Sequence, residues 1–395
     1  MTDPETYRRY AQLRGECPVS RVRQPNGMET FLVTRFAEVS EALTDARLGK
    51  NPRHGAAMLA AGGAGMPREG GNLGGHLLAS DPPEHTRLRK LLAREFTMRR
   101  VESMRPAVQR LADRLVDDIA RDLTDGTGEV DLLPAYAVPL PIIVISGLLG
   151  IPQADQERFR AWTRAILQPL GSPGKADGVR EFSAYLSDLM EAKRAHPGDD
   201  LFSALVAAEA DDRLSPQELI GTAILLIVAG HETTVSLIAN GVLALLRHPG
   251  QLEQVRARTE LLPAAIEEFL RYDAPLDRAT ARWAVEDLEI AGTPVPKGAM
   301  VIAALGSANR DETVFPDPDR LDVNREHAHR HLAFGRGIHH CVGAPLARLE
   351  AETAIGTLLR RFPSIELAVP AEKLHWTPTI VMNSLDALPV RVSVR

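Results

Sequence analysis

From Pro216 to about Arg247 the sequence reads as one helix of roughly 30 residues, ~45 Å long, whose first half is apolar almost all the way round. Such a helix has no polar face to offer solvent, so it must run through the centre of a large protein. Its start is marked by Ser215-Pro216-Gln217-Glu218: serine as N-cap, proline at the first helical position, glutamate three residues after the serine. The longest apolar run, Leu219 to Gly230, contains Gly221 and Thr222 and ends on His231-Glu232, which is too short and too polar for a membrane span. With 395 residues and 44% hydrophobic content, the chain has enough material to wrap this helix.

The surrounding segments are mostly helical. Asp81-Pro82-Pro83 opens a helix with proline in its first turn, and Leu88, Leu91, Leu92 and Phe96 give it an apolar face. Further helices are expected over 101–123, 139–149, 153–168, 178–195 and 200–209, with Pro169 and the turn Gly171-Ser-Pro-Gly174 as punctuation. Thr30 to Thr34 reads as a strand before a helix Phe36 to Leu43, and β-like pieces recur at Arg282 to Ile290, Met300 to Ala303 and Val390 to Val394. Residues 51–78 are crowded with glycine, which disfavours regular structure. This stretch reads either as a surface loop or as a mobile lid over an active site. No repeat or linker divides the chain, so residues 1–395 are expected to form a single, mainly α domain with small sheets.

The net charge of −6 argues against a nucleic-acid binder. Two distant cysteines, Cys17 and Cys341, make neither a disulfide framework nor a cysteine-rich zinc site, and fit a reducing cytosol. The first residues carry no apolar signal core. A cytoplasmic protein with no membrane segment is expected.

Two places carry chemistry. Ala229-Gly230-His231-Glu232-Thr233-Thr234 interrupts the oily helix with a glycine, an acid and two threonines. A glycine beside hydroxyl residues lets a helix bend or widen. A carboxyl buried there would have a raised pKa and suit proton transfer. The pattern reads as a polar pocket in which Thr233 donates a hydrogen bond and Glu232 moves protons, or else as a tolerated polar patch. Cys341 sits in the glycine-rich loop Phe334 to Gly343, with a helical pattern from Ala344 to Leu359 behind it. A thiolate there can be the single protein ligand of a haem iron; a buried free cysteine is the plainer reading. Glu268 and Arg271 lie three apart on one helix face and can pair, and Arg320 is a candidate second guanidinium for the same carboxylate. The histidines His327, His329, His331, His339 and His340 lack the cysteine partners of a usual zinc site.

These pieces together resemble the cytochrome P-450 superfamily, and its soluble bacterial members in particular. The family's haem loop, Phe-Gly-x-Gly-x-His-x-Cys-x-Gly, is matched by Phe334, Gly335, Gly337, His339, Cys341 and Gly343. Its oxygen-binding motif is matched by Ala229, Gly230, Glu232 and Thr233, and its Glu-x-x-Arg pair by Glu268 and Arg271, with Arg320 as third member. The stretch Asp81 to Arg89 looks like the helix whose His85 and Arg89 reach a haem propionate, and Arg282 and His339 match the other propionate contacts. In general character the chain is similar to actinomycete enzymes of macrolide and other secondary metabolism.

The resemblance implies the cytochrome P-450 fold: a triangular prism of helices with small β-sheets, haem b held between the central long helix and the cysteine-loop helix. It implies a haem-thiolate monooxygenase with Cys341 on the iron and Thr233 and Glu232 as catalytic groups delivering protons towards dioxygen. The reaction would be hydroxylation or epoxidation of a bulky, mostly apolar small molecule, such as a macrolide, polyketide or terpenoid. Substrate would touch the 51–78 loop, residues 162–185, Ile224 to Ala229, Leu276 to Ala279 and Val381 to Asn383, with Asp277, Arg278 and Glu191 as possible polar anchors. No flavin or iron–sulfur motif is present, so an external ferredoxin and ferredoxin reductase would supply electrons to a monomer. Arg87, Arg89, Lys90, Arg94, Arg99 and Arg100, opposed only by Glu95, offer a basic docking stretch. A phenol-coupling or peroxide-using enzyme, or a haem gas or redox sensor, are the alternatives.

Overall fold

The computed structural model describes residues 4–23, 28–61, 75–155, 174–211, 213–377 and 381–394, with five isolated positions between 158 and 165. The central helix spans Pro216–Arg247. Its expected capping box is present: the Glu218 amide donates to Ser215 Oγ at 3.2 Å, and the Ser215 amide to Glu218 Oε2 at 2.8 Å. The helix packs against Pro139–Leu148, Leu262–Tyr272 and Ala344–Arg361, so protein closes round most of its circumference. It is long and apolar enough to cross a bilayer, yet 67% of its most apolar window is buried inside the chain's own core. Core burial is therefore a sufficient reason for its composition.

The helices expected at 101–123, 139–149, 178–195 and 200–209 appear as Met98–Arg121, Pro139–Leu148, Lys175–Ala195 and Leu201–Ala210. Two of them start on side-chain caps, Thr97 accepting from the Arg100 amide and Asp200 from the Ser203 amide. The helix and turn expected over 153–174 lie largely outside the described residues. The helix after Asp81 begins one step later than expected, as Glu84–Ala93, with Pro83 at its N-cap and His85, Leu88 and Leu92 turned inward.

Small sheets flank this helical body. Five strands are ordered Val19–Arg23, Glu29–Val33, Met300–Ala303, Arg282–Ala284 and Leu48–Gly49. Glu29–Val33 runs parallel to Met300–Ala303, with Thr30 opposite Met300, and the other neighbours are antiparallel. The stretch expected as one strand over 282–290 is two, since Leu288–Ile290 belongs to a separate hairpin with Thr293–Val295. A third sheet joins Thr127–Asp131, Pro389–Ser393 and Ser364–Leu367. Part of the glycine-rich segment is regular: Pro52–Gly55 is a 3-10 turn and Ala56–Ala61 a helix. Gly55 is a packing residue there, because a Cβ would lie 1.9 Å from the Trp283 ring. Residues 62–74 of the expected lid lie outside the described residues.

The Glu268–Arg271 pair is buried, with no exposure on either side chain. Arg271 Nε and Nη2 donate to the two carboxylate oxygens at 2.7 and 2.8 Å. Its remaining protons go to the carbonyls of Asn309, Pro318 and Arg320 at 3.1, 2.8 and 3.2 Å. The carboxylate also accepts from the Asp322 amide at 2.9 Å and from Arg325 Nε at 3.2 Å. The second guanidinium is thus Arg325, not Arg320. The turn stabilised by the Arg320 amide donating to Asp317 O leaves the Arg320 side chain 66% exposed beside Asp322. Next door, Glu267 accepts from Arg348 Nε and Nη2 at 2.6 and 3.0 Å and lies 3.2 Å from His331 Nε2. These two carboxylates pin the segment leading to Cys341 onto helix Leu262–Tyr272.

Arg271→Met would leave Glu268 buried without its main partner and is expected to cost about 3–5 kcal/mol. Arg325→Met is expected to cost less, because Arg325 keeps some exposure, and Arg320→Ala to stay within about 0.5 kcal/mol. Thermal unfolding of the three variants ranks them; equal losses at 320 and 325 would contradict this network. For Glu267, burial by itself would raise the pKa, but His331 and Arg348 hold it down at about 2. Its folded value lies below its unfolded one, so its contribution is complete above pH ~4.5 and fades as pH falls towards 2. Glu267→Gln should therefore destabilise by about 2–3 kcal/mol at neutral pH, allowing for screening at Arg348. That difference should shrink below pH ~4 in unfolding curves taken across the acid range.

Candidate functional site

The loop before Cys341 is shaped by Gly335 and Gly337 at φ 69 and 75. A Cβ on Gly337 would also lie 3.0 Å from the Leu43 carbonyl, so a side chain is excluded twice there. The Cys341 amide donates to Phe334 O at 2.9 Å, closing the loop. Arg348, already paired with Glu267, lies 4.6 Å over the Phe334 ring and clamps it. Protein surrounds Cys341 on nearly every side, yet solvent can reach it. The two facts agree for a thiol at the floor of a deep recess. Burial pushes its pKa up, while the Gly343 and Ala344 amides, Arg89 and Arg348 favour the thiolate. The two amides are those of the N-cap and first residue of helix Ala344–Arg361, whose positive end faces the sulfur. Cys17, by contrast, donates to Val19 O and is an ordinary structural thiol.

Beside this loop gather groups from three elements. His85 comes from helix Glu84–Ala93, His339 from the cysteine loop and Arg282 from the five-stranded sheet. The His85 and His339 ring centroids are 4.2 Å apart. Both ring nitrogens of His85, His339 Nε2, Arg282 Nε and His76 Nδ1 are buried without a hydrogen-bond partner among the described residues. Burial first, then neighbouring cations, lowers His339 to about 3 and His76 to about 4, so both are neutral. Arg282 is tied to Leu48 O and Leu43 O at 3.3 and 3.1 Å. In return Lys50, directly after strand Leu48–Gly49, donates Nζ to Thr280 O and Ala281 O at 3.0 and 2.9 Å and to Thr280 Oγ1. Burial and Arg282 bring Lys50 down to about 7. Asp81 gives its oxygens to the Lys50 and Asn51 amides at 2.7 and 3.0 Å and to His54 at 3.2 Å. Arg282 Nε and the N–H of the neutral His85 lack acceptors, and the oxygens of Asp81 are already taken, so the cluster can receive anionic oxygen. Lys50 and His76 are missing from the sequence reading; nothing in their spacing marks them.

On the central helix, Ala229 is exposed although Ile227 and His231 beside it are buried, so the helix opens onto a space at this turn. The helix is α-helical throughout, so no widened turn interrupts it. Thr233 Oγ1 donates to Ala229 O at 2.6 Å and Thr234 Oγ1 to Gly230 O at 3.1 Å. The Thr233 hydroxyl proton is thus spent on the backbone, and its lone pairs face outward. Glu232 keeps 31% side-chain exposure, with His231 Nδ1 3.7 Å away, so it is not the buried acid expected from the sequence.

The other named side chains are already engaged. Asp277 accepts from Tyr10 Oη at 2.5 Å, and Arg278 Nε donates to the same hydroxyl at 2.8 Å, so both face the N-terminal helix Pro4–Glu16. Glu191 pairs with Arg194 at 2.5 Å on the surface. In the basic stretch, Arg87 is bound to Glu218 and Arg100 to Glu95 and Asp199, more opposition than expected. Lys90, Arg94 and Arg99 stay exposed, next to Met98, which is 68% exposed. A cleft of about 740 Å³ between Met98–Arg121 and Pro139–Leu148, lined by Met104, Leu111, Ile143 and Leu148, contains none of the groups above. Its size carries less weight than the chemistry around Cys341.

Among the described residues no group of three or more His, Cys, Asp or Glu side chains is placed to hold a metal ion. The histidines do not converge: His327 and His329 face each other, His331 sits on Glu267, and His339 on His85. An iron carried by its own macrocycle needs only one protein ligand. The recessed Cys341 and the unpartnered donors beside it fit haem b, one for the iron and the others for the carboxylates.

A cytochrome P450 family model matches residues 176–387, more than half of the chain. The chain is 47% identical to cytochrome P450 monooxygenase PikC of Streptomyces venezuelae over 389 residues, covering 98% of this chain and 91% of that protein. It is 42% identical to 6-deoxyerythronolide B hydroxylase of Saccharopolyspora erythraea, covering 98% and 96%. The structure of the tirandamycin C-bound P450 monooxygenase TamI superposes with a TM-score of 0.90 at 41% identity, covering 99% of this chain and 98% of that one. With the thiol loop, the donor cluster and these relatives in agreement, the chain belongs to the cytochrome P450 family, as a monooxygenase with haem b as its cofactor.

Proposed function

We propose that Cys341 is the thiolate ligand of the haem iron, that His85, Arg89, Arg282 and His339 receive the propionates, and that Glu232 and Thr233 form the proton path on the opposite face. The observation that carries this reading is the set of buried, unpartnered nitrogens beside the recessed thiol. Two carboxylates would satisfy them, and Arg89 acts on the thiol as well. When bound, haem b activates dioxygen and supplies the oxidising power for inserting one oxygen atom into a C–H or C=C bond. The protein's own part is orientation and proton supply. Thr233, its proton committed to Ala229 O, accepts a hydrogen bond from water and so fixes that water's position. Glu232, partly exposed, exchanges protons with solvent and passes them inward. Ala229 and Gly230 leave room beside them for a small molecule.

The substrate we infer is a bulky, largely apolar macrolide, polyketide or terpenoid, held by Leu276 to Ala279, Val381 to Asn383, the central helix at Ile224 to Ala229 and the 51–78 lid. The names of two relatives, 6-deoxyerythronolide B hydroxylase and mycinamicin IV hydroxylase/epoxidase, support that class. Electrons come from an external ferredoxin and its reductase, in a cytoplasmic monomer. Lys90, Arg94 and Arg99 are exposed, make no ion pair among the described residues, and offer a positive face to an acidic partner.

In the reduced protein, carbon monoxide is expected to give a strongly red-shifted Soret band; without it in haem-loaded protein, Cys341 is not the ligand. Thr233→Ala should lower ferredoxin-driven product formation about a hundredfold while peroxide-driven turnover survives. If both fall together, Thr233 has a structural role only; if neither falls, the peroxide-using alternative gains. Reversing Arg94 and Arg99 to glutamate should slow reduction by ferredoxin and flatten its dependence on salt, as read by stopped flow.

A further inference from the structure

Two of the segments proposed to border the substrate, Leu276 to Ala279 and Val381 to Asn383, are irregular, and the first of them contacts the N-terminal helix Pro4–Glu16. Leu276 bridges Met382, the Asp277 amide donates to Val381 O at 2.9 Å, and the Asn383 amide donates to Pro275 O at 2.8 Å. The two segments therefore move as one unit. On the core side Asn240 of the central helix donates to Asn383 O at 3.0 Å and Asp273 O at 3.3 Å, the Ser236 and Ser384 hydroxyls pair at 2.9 Å, and the Ala279 and Gly306 amides donate to Ala303 O and Asp277 O, each at 2.9 Å. On its far side it is fastened to the N-terminal helix. Tyr10 Oη donates to Asp277 Oδ2 at 2.5 Å and accepts from Arg278 Nε at 2.8 Å. Both Tyr10 and Asp277 are buried, at 2% and 7% exposure. Asp277 also sits tight against Gly306, where a Cβ would come within 2.4 Å of Oδ1, so the carboxylate has little room to reorient. Burial raises the Asp277 pKa, which makes the hydroxyl donor its main solvation.

We infer that Tyr10 is a positioning residue for substrate: through Asp277 and Arg278 it sets the wall formed by Leu276–Ala279 and Met382–Asn383, and so the affinity for bulky ligands. The inference rests on the reading above that these segments border the substrate of a haem-thiolate enzyme. Removing the Tyr10 hydroxyl leaves the buried carboxylate with only the longer Arg278 contact at 3.4 Å, and the wall must shift to readmit water. The iron and its thiolate are untouched, so small ligands of the iron feel nothing.

The test uses the haem-loaded full chain and two azoles, imidazole and clotrimazole, which bind iron through the same kind of nitrogen but differ in reach. Each is titrated by the red shift of the Soret band. Tyr10→Phe is expected to change the clotrimazole Kd by about fivefold and leave the imidazole Kd as in the wild type. Asp277→Asn, which still accepts from Tyr10, should retain the wild-type value, whereas Asp277→Leu should reproduce the Tyr10→Phe change. An unchanged clotrimazole Kd in Tyr10→Phe, or proportional changes for both azoles, overturns the positioning role. Absence of any red shift with imidazole in the wild type overturns the haem-thiolate reading itself, which separates the two failures.

Discussion

A carboxylate with no exposed surface, held between two guanidiniums, is the interaction on which the cysteine side of the molecule depends. Glu268 sits on a regular helix, but Arg271 reaches from it to three backbone carbonyls in a stretch with little regular structure. Arg325 and the Asp322 amide approach the carboxylate from that same stretch. Removing two charges from water is costly, and the geometry here recovers it only because each lone pair and each N–H has a destination. The benefit is positional. A long irregular segment, unable to hold itself by a hydrogen-bond ladder, is fixed at several carbonyls at once. Asn309 extends the network, accepting the Leu332 amide at 2.7 Å just upstream of the cysteine loop.

A second layer fixes the thiol's own surroundings. Glu267 binds Arg348, Arg348 covers Phe334, and the Phe334 carbonyl holds the Cys341 amide. The charge that reaches the sulfur is thus delivered by a guanidinium whose other duties keep it still. The donor cluster works on the opposite principle. Lys50, Arg282 and the three buried histidines crowd together with one carboxylate, Asp81, whose oxygens are largely taken by backbone amides. Neutral histidines and a lysine brought to about 7 are how a folded chain tolerates such crowding. A ligand carrying two negative charges relieves it, so cofactor affinity and local strain are two aspects of one arrangement.

How far the sequence could be read follows from these two kinds of construction. The central helix was legible because apolar character and a capping box both act over a few residues of regular backbone. The cysteine loop was legible because its glycines answer a backbone need, φ near 70 at Gly335 and Gly337. Arg320 and Arg325 were not distinguishable: both lie in irregular chain, where side-chain direction has no period, and one turn about Asp317 sends Arg320 to solvent. Asp277 and Arg278 looked available to substrate for the same reason, since nothing in their neighbourhood announces Tyr10, more than two hundred residues earlier. Glu232 was expected to be buried because its helix is; the helix instead opens at that turn, beside the exposed Ala229.

The contrast bears on how the enzyme can change. The groups proposed to serve the iron are locked by helices, buried ion pairs and glycine geometry, where a single loss is costly. The proposed substrate wall is held by the Tyr10–Asp277 contact, Asn240, the Ser236–Ser384 pair and a few backbone hydrogen bonds, with short irregular segments between. Substitution there shifts the wall without disturbing Glu268, Arg348 or the cysteine loop, because no bond in either network passes through it. Specificity for bulky ligands can then drift while oxygen chemistry stays constant. On this argument the N-terminal helix, remote from the thiol in sequence, belongs functionally to substrate selection rather than to general stability.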